Sequence, residues 1–320
     1  MPFRSKWHLL PTEAINPASL ALDKLSAAEI VDVMVNEDRK VVSSVAREKE
    51  RIALAIDLIS HALRKGGRLF FVGAGTSGRL GVLEAAEMPT TFGTSPKMIQ
   101  AIIAGGKAAV TEAKERVEDS YEEGARAIAR LRPSVRDVVV GVSASGMTPF
   151  VQGALARARR ARAKTIFVTC YPRTELQTFV DLTIAPAVGP EVIAGSTRLK
   201  AGTATKMVLN ILTTASLVRI GKTYGNLMVD VRTTSEKLKD RARRIVMLVT
   251  DVNEDQATHL LRRARWNVKA AIVMQKTGLP CAKAVARLRE ANDSIREAIG
   301  EDIEPRLRRL LKLDETEEKE

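Results

Sequence analysis

The stretch RLFFVGAGTSGRLGVLEAAEM, residues 68–88, decides the fold. RLFFV (68–72) reads as a short buried strand, because its apolar residues run on without the alternation of a half-exposed one. Glycines at 73, 75 and 78 follow, and GRLGVLEAAEM (78–88) then reads as a helix. The same unit recurs downstream. MIQAIIAG (98–105), DVVVGV (137–142), KTIFVTC (164–170) and DLTIAPAV (181–188) supply four more strands. Helices are expected near 107–131, from about 149 and from about 201. Five apolar strands separated by helices predict an α/β fold with a five-stranded parallel, doubly wound sheet. Ligands of such sheets bind in the loops beyond the carboxyl ends of the strands.

On either side of this core the pattern is helical. Residues 18–64 show apolar positions recurring at three and four, with Ser26 as N-cap and Gly66 and Gly67 as the stop. After about residue 235 strand signals vanish, and LKDRARRIVMLVT, NEDQATHLLRRARW, VKAAIVMQKTG and PCAKAVARLREAND form a small helical unit. The expected organisation is an N-terminal helical segment (1–50), a sheet domain (51–235), a C-terminal helical domain (236–300) and a charged tail (301–320).

Bulk properties narrow the function. The chain has 320 residues, 45% hydrophobic and 28% charged, with two cysteines, Cys170 and Cys281, too few for a disulfide framework. No apolar stretch has the length of a signal peptide or a membrane span. A cytoplasmic protein with no membrane partner is expected. The net charge of +13 raises nucleic acid as a partner, but Arg and Lys are spread over helices and aromatics are scarce. A solvated basic surface is the preferred reading, and no nucleic-acid partner is expected.

The chemistry concentrates in turns. GAGTSG (73–78) fits G-x-G-x-x-G, yet the second strand ends AIIAGG, with no acid placed to hold a ribose. A phosphate asks for less: glycines that admit its oxygens to backbone N–H groups, hydroxyls at Thr76 and Ser77, and a helix N-terminus. The alternative is a tight strand-to-helix turn. GVSASGMTPF (141–150) repeats the device with Ser143, Ser145, Gly146 and Thr148, more hydroxyls than one helix cap requires. Two carboxylates lie near these turns. Glu87 sits at the end of the helix that GAGTSG opens, just before Pro89, with Glu84 nearby. Glu118 sits on the helix expected after the second strand, among acids that also suit a solvated face. His8, His61 and His259 lie away from the turns, and no metal-ligand spacing occurs, so carboxylates are the acid/base candidates.

One further segment, GPEVIAGSTRLKAGTATK (189–206), resembles the motif shared by N-acetylmuramic acid 6-phosphate etherases and the glucokinase regulatory protein. GAGTSGRLG, Glu-x-Pro-x-Thr-Phe-Gly (87–93), IIAGG, VEDS, SASGxTP and YGNLMVDV (224–231) also resemble the etherase family, in its order, from about residue 12 to 300. The resemblance implies a sugar-isomerase (SIS) domain with a small three-helix, ubiquitin-associated-like C-terminal domain. It implies a homodimer that uses no cofactor or metal and cleaves the lactyl ether of its sugar phosphate. Its two acidic catalytic positions fall on Glu87 and Glu118, and SIS phosphate-binding positions on Ser77, Ser143, Ser145 and Thr148. Gly75, Thr76, Gly146, Glu191, Ser196 and Lys200 complete the expected binding set. For Glu191 and Lys200 an internal ion pair or a helix-terminal charge is the competing reading. Two departures stand out: Met88-Pro89-Thr90 replaces Cys-Pro-Pro, and Met147 replaces an arginine of the phosphate turn. Rival readings are a sugar-phosphate-binding regulator and an aldose–ketose isomerase of the same fold.

Overall fold

A computed structural model describes residues 10–172 and 179–312. Three short 3-10 turns at 11–13, 17–19 and 22–24 precede α1 (Ala27–Ala46) and α2 (Lys49–Arg64). Ser26 caps α1 in a reciprocal capping box with Glu29. The sheet follows: β1 (Leu69–Gly73), α3 (Gly75–Phe92), β2 (Ile99–Ile103), α4 (Tyr121–Arg130), β3 (Val138–Val142), α5 (Pro149–Arg160), β4 (Lys164–Val168) and β5 (Leu182–Ile184). Every pairing is parallel, in the order β2-β1-β3-β4-β5. The apolar runs are explained by burial, since all five residues of β1 and of β3 are enclosed. Beyond β5 come α6 (Lys200–Arg219), α7 (Glu236–Thr250), α8 (Glu254–Arg263), α9 (Val268–Thr277), α10 (Cys281–Glu290), α11 (Ile295–Ile299) and α12 (Glu304–Leu310).

The chain divides into two compact units. The first comprises the residues up to Ala86 and Ser95–Ser216; the second comprises Glu87–Thr94 and the residues from Leu217 on. In the first unit, Phe70, Val72, Val139, Phe150, Leu155 and Phe167 form a core on one face of the sheet. The N-terminal helices belong to this unit: the Ser44 hydroxyl donates to the Ala187 carbonyl, and the Glu48 carboxylate accepts from the Ala185 N–H. α4 and α5 meet at two glycines, where a Cβ on Gly124 would stand 1.8 Å from the Phe150 carbonyl oxygen and one on Gly153 1.9 Å from that of Tyr121.

The second unit begins well before residue 236, because Tyr224, Val229 and Val231 of YGNLMVDV lie in its core with Leu261, Ile272 and Ile295. Asp230 of the same motif forms ion pairs with Lys222 and with the buried Lys269. Gly93 also belongs here, at φ +63°, since a Cβ there would fall 2.2 Å from the Asp230 carbonyl oxygen. The four helical segments expected from residue 236 on are α7 to α10, and the chain adds the short α11 and α12 after them. Part of the expected charged tail is therefore helical; residues 313–320 lie outside the described residues.

Candidate active site

β1 and β3, first and third along the chain, are neighbours in the sheet, with Gly73 in register with Val142. The chain leaves β1 toward β2 on one side and β3 toward β4 on the other, so their carboxyl ends flank the crevice where parallel sheets bind ligands. Both hydroxyl-rich turns open there. After β1, Gly75 takes φ +51° and starts α3, with the half-buried Thr76 and Ser77 in its first turn. A Cβ on Gly73 would lie 2.7 Å from the Gly78 nitrogen, so strand end and helix start touch with no side chain between them. This leaves the first N–H groups of α3 without helical partners, a site suited to anions.

The turn after β3 is closed by its own hydroxyls. Ser143 Oγ and Thr148 Oγ1 are 2.7 Å apart, and Gly146, at φ +76°, donates its N–H to Ser143 Oγ at 3.1 Å. The Met147 N–H reaches Ser145 Oγ at 3.3 Å. The Ser143–Thr148 pair spends one of its two hydroxyl protons internally, and Ser145 here accepts, keeping its proton to donate. Ser143 thus shapes the turn, while Ser145 and Thr148, half-buried, stand at its surface.

The 189–206 segment reaches the same end of the sheet. A Cβ on Gly202 would lie 3.7 Å from Thr76 Cγ2, and Cys170 Sγ is 3.9 Å from the Ala201 carbonyl. Ser196, half-buried, sits in the turn before α6, its N–H on the Ile193 carbonyl. Glu191 and Lys200 are both 1% exposed and engaged internally. Glu191 caps α6, its two carboxylate oxygens accepting the N–H groups of Lys200 and Ala201 at 2.9 Å each. Burial pushes its carboxyl above the usual range against the pull of those bonds and of the Lys200 charge. Lys200 Nζ pairs with Glu37 Oε2 of α1 at 2.6 Å. Glu37 also accepts from Lys40 and from Asn16, whose amide in addition donates to the Pro190 carbonyl. Burial of Cys170, with the nearby Glu191 charge, drives its thiol up to about 12, which removes it as a nucleophile.

The two catalytic candidates stand apart from this buried network, and both are exposed. Glu118 is not on a helix. A 3-10 turn spans 107–110, α4 begins only at Tyr121 behind its Ser120 cap, and Glu118 lies in the turn between. The helical periodicity of TEAKERVEDS is overridden because tertiary donors take its backbone acceptors. Arg79 takes the carbonyls of Val110 and Glu112, and the Phe150 N–H takes that of Glu118 at 2.9 Å. That last bond sets Glu118 beside the start of α5, two residues past Thr148. Glu87 is on α3, which runs on through Pro89 to Phe92, beyond the stop expected there. About 15 Å of helix rise separates Glu87 from Ser77, and Glu87 falls in the second compact unit. The turn after β3 is thus tied to the Glu118 backbone, whereas Glu87 lies further along α3. Of the departures, Met88 is buried, Thr90 returns its hydroxyl to the Glu87 carbonyl, and Met147 is half-buried in the turn after β3. His61 lies on α2 and His259 on α8; His8 is outside the described residues. Arg79 escaped notice in the sequence, although a cation directly after GTSG was the available signal.

Hydroxyl-lined turns beyond adjacent strands of a five-stranded parallel sheet suit a phosphorylated ligand, and comparison with known proteins places the sheet among sugar-isomerase domains. A family model described as the glucokinase regulatory protein N-terminal SIS domain matches residues 51–159. N-acetylmuramic acid 6-phosphate etherase of Microcystis aeruginosa is 50% identical over 297 residues, 93% of this chain and 97% of that one. The enzyme of the same name from Synechocystis is 49% identical over 91% of this chain and 95% of its own. A solved phosphoheptose isomerase from Francisella tularensis is 18% identical, covering 60% of this chain and 98% of its own at a TM-score of 0.48. The chain belongs to the N-acetylmuramic acid 6-phosphate etherase family.

Proposed function

We propose that the chain cleaves the D-lactyl ether of N-acetylmuramic acid 6-phosphate to N-acetylglucosamine 6-phosphate and D-lactate, a carbon–oxygen lyase reaction in the recycling of cell-wall sugar. The observation that carries this reading is the bond from the Phe150 N–H to the Glu118 carbonyl, which ties an exposed carboxylate to the hydroxyl turn after β3. The phosphate is held by Ser77, Ser145, Thr148 and the first N–H groups of α3, with Ser143 shaping the turn. Ring opening exposes an aldehyde, and its carbonyl delocalises the carbanion left when Glu118 takes the C2 proton. The C3–oxygen bond then breaks, and Glu87 protonates the departing lactate oxygen. Water adds to C3 of the unsaturated aldehyde, and C2 is reprotonated. The scheme needs one base and one acid, and Glu118 and Glu87 supply one each.

Glu191 and Lys200 act in this scheme by fixing the turn that carries Ser196, not by touching the sugar. We further propose a homodimer. Val31, Val35 and Val42 share one face of α1 and are 58%, 47% and 61% exposed, an apolar stripe suited to a second copy of the chain. A cytoplasmic setting is supported by two free cysteines, Cys170 and Cys281. The test is D-lactate release from N-acetylmuramic acid 6-phosphate. Release by the wild type and its loss in Glu118→Gln are expected; binding of the sugar phosphate without release would overturn the reading.

A further inference from the structure

Arg79 is the fifth residue of α3, one turn in and two residues after Ser77. Its guanidinium is directed at the chain ahead of Glu118: Nε donates to the Val110 carbonyl at 2.9 Å and Nη2 to the Glu112 carbonyl at 3.0 Å. The stretch that starts there has no helical hydrogen-bond ladder and includes Arg116 in the left-handed region at φ +63°. Its far end is pinned by the Phe150 N–H on the Glu118 carbonyl. The segment bearing Glu118 is thus fastened at one end to the turn after β1 and at the other to the turn after β3.

We infer that Arg79 is a positioning residue that couples the phosphate-binding turn of α3 to Glu118. A phosphate seated at Thr76 and Ser77 fixes the first turn of α3. Arg79 passes that order, through two backbone carbonyls, to the segment that carries the base. Lysine does not replace it, because a single ammonium lacks the planar fork that spans two acceptors. The activity side of this inference rests on the proposed etherase reaction, whereas its structural side does not.

The test compares the full chain with Arg79→Met and Arg79→Lys. In Arg79→Met, amide hydrogen exchange across residues 107–120 rises about tenfold or more, while β1 and β3 keep wild-type protection. The kcat for D-lactate release falls about a hundredfold, the scale of a misplaced catalytic group. KM, and the Kd for N-acetylglucosamine 6-phosphate, stay within about threefold of wild type, as for a residue that does not hold the ligand. Arg79→Lys falls between, and it carries the comparison if the Met variant does not fold. Wild-type exchange of residues 107–120 in Arg79→Met overturns the inference, and so does a raised KM with unchanged kcat, which would reassign Arg79 to phosphate binding. If the wild type releases no lactate, the proposed reaction fails, and the exchange measurement still decides the role of Arg79.

Discussion

Two pairs of glutamates are treated oppositely by this fold. Glu37 and Glu191 are buried, and their oxygens are taken up by Lys200, Lys40, Asn16 and two N–H groups of α6. Glu87 and Glu118 are exposed, and among the described residues no side chain or N–H group bonds to either carboxylate. The lesson is that density of family-matching residues and chemical availability are separate properties. Glu191 and Lys200 come from the segment that identifies the family most sharply, yet they hold a turn in place. Of the two exposed carboxylates, Glu118 comes from a stretch that also suits ordinary acidic surface.

The strongest attack on this contrast exchanges a free carboxylate. Glu118→Gln and Glu87→Gln should each lower kcat for D-lactate release about a thousandfold, within the range of general acid–base catalysis, with unchanged melting temperature. A fall in stability without loss of rate would place them with the buried pair. Glu37→Ala should do the reverse. Leaving Lys200 buried without its counter-charge should cost about 3–5 kcal/mol, read from the urea midpoint. Acid sharpens the point. Burial opposes the Glu37 charge, but bonds from Lys200, Lys40 and Asn16, with the Lys200 charge, hold its carboxyl down at about 2. A folded value below the ordinary 4.5 means this stabilisation is present above about pH 4.5 and lost as pH falls toward 2. Glu37→Gln should therefore flatten the stability curve over that window, and an unchanged curve would refute the assignment.

Smaller effects test the scaffold and the phosphate turn. Gly153→Ala puts a methyl against the Tyr121 carbonyl and forces α4 and α5 apart, at a cost of about 1–3 kcal/mol in a thermal melt. Since Glu118 is fastened to Phe150 beside that contact, its rate should fall as well. Met147→Arg restores the family's cation at a half-exposed position and should lower KM about twofold to fivefold, the worth of an exposed ion pair. A KM that does not move would show that the turn grips phosphate without it.

Much of the fold was legible because continuous apolar runs have one reading once helices separate them. All five strands and the crevice turns at 73–78 and 141–150 follow from that pattern. The chain between Gly106 and Tyr121 was not legible. TEAKERVEDS has the composition and period of a helix, but donors remote in sequence, on Arg79 and Phe150, take the Glu112 and Glu118 carbonyls, and Arg116 sits in the left-handed region. The same holds for Pro89, whose helix continues where a local rule ends it. For Glu191 and Lys200 the residues permitted two readings. The partner that weighs between them, Glu37, lies 163 residues from Lys200 and carries no local mark.

That separation also sets a timetable for synthesis. A ribosome adds about 5–20 residues per second, so Glu37 and Asn16 leave the exit tunnel on the order of 10–30 s before Lys200 has been made. Throughout that interval α1 carries an acid with no cation to meet it and a valine stripe with no cover. The N-terminal helices are thus made well before the residue that locks them, and their ion pair closes only once α6 emerges.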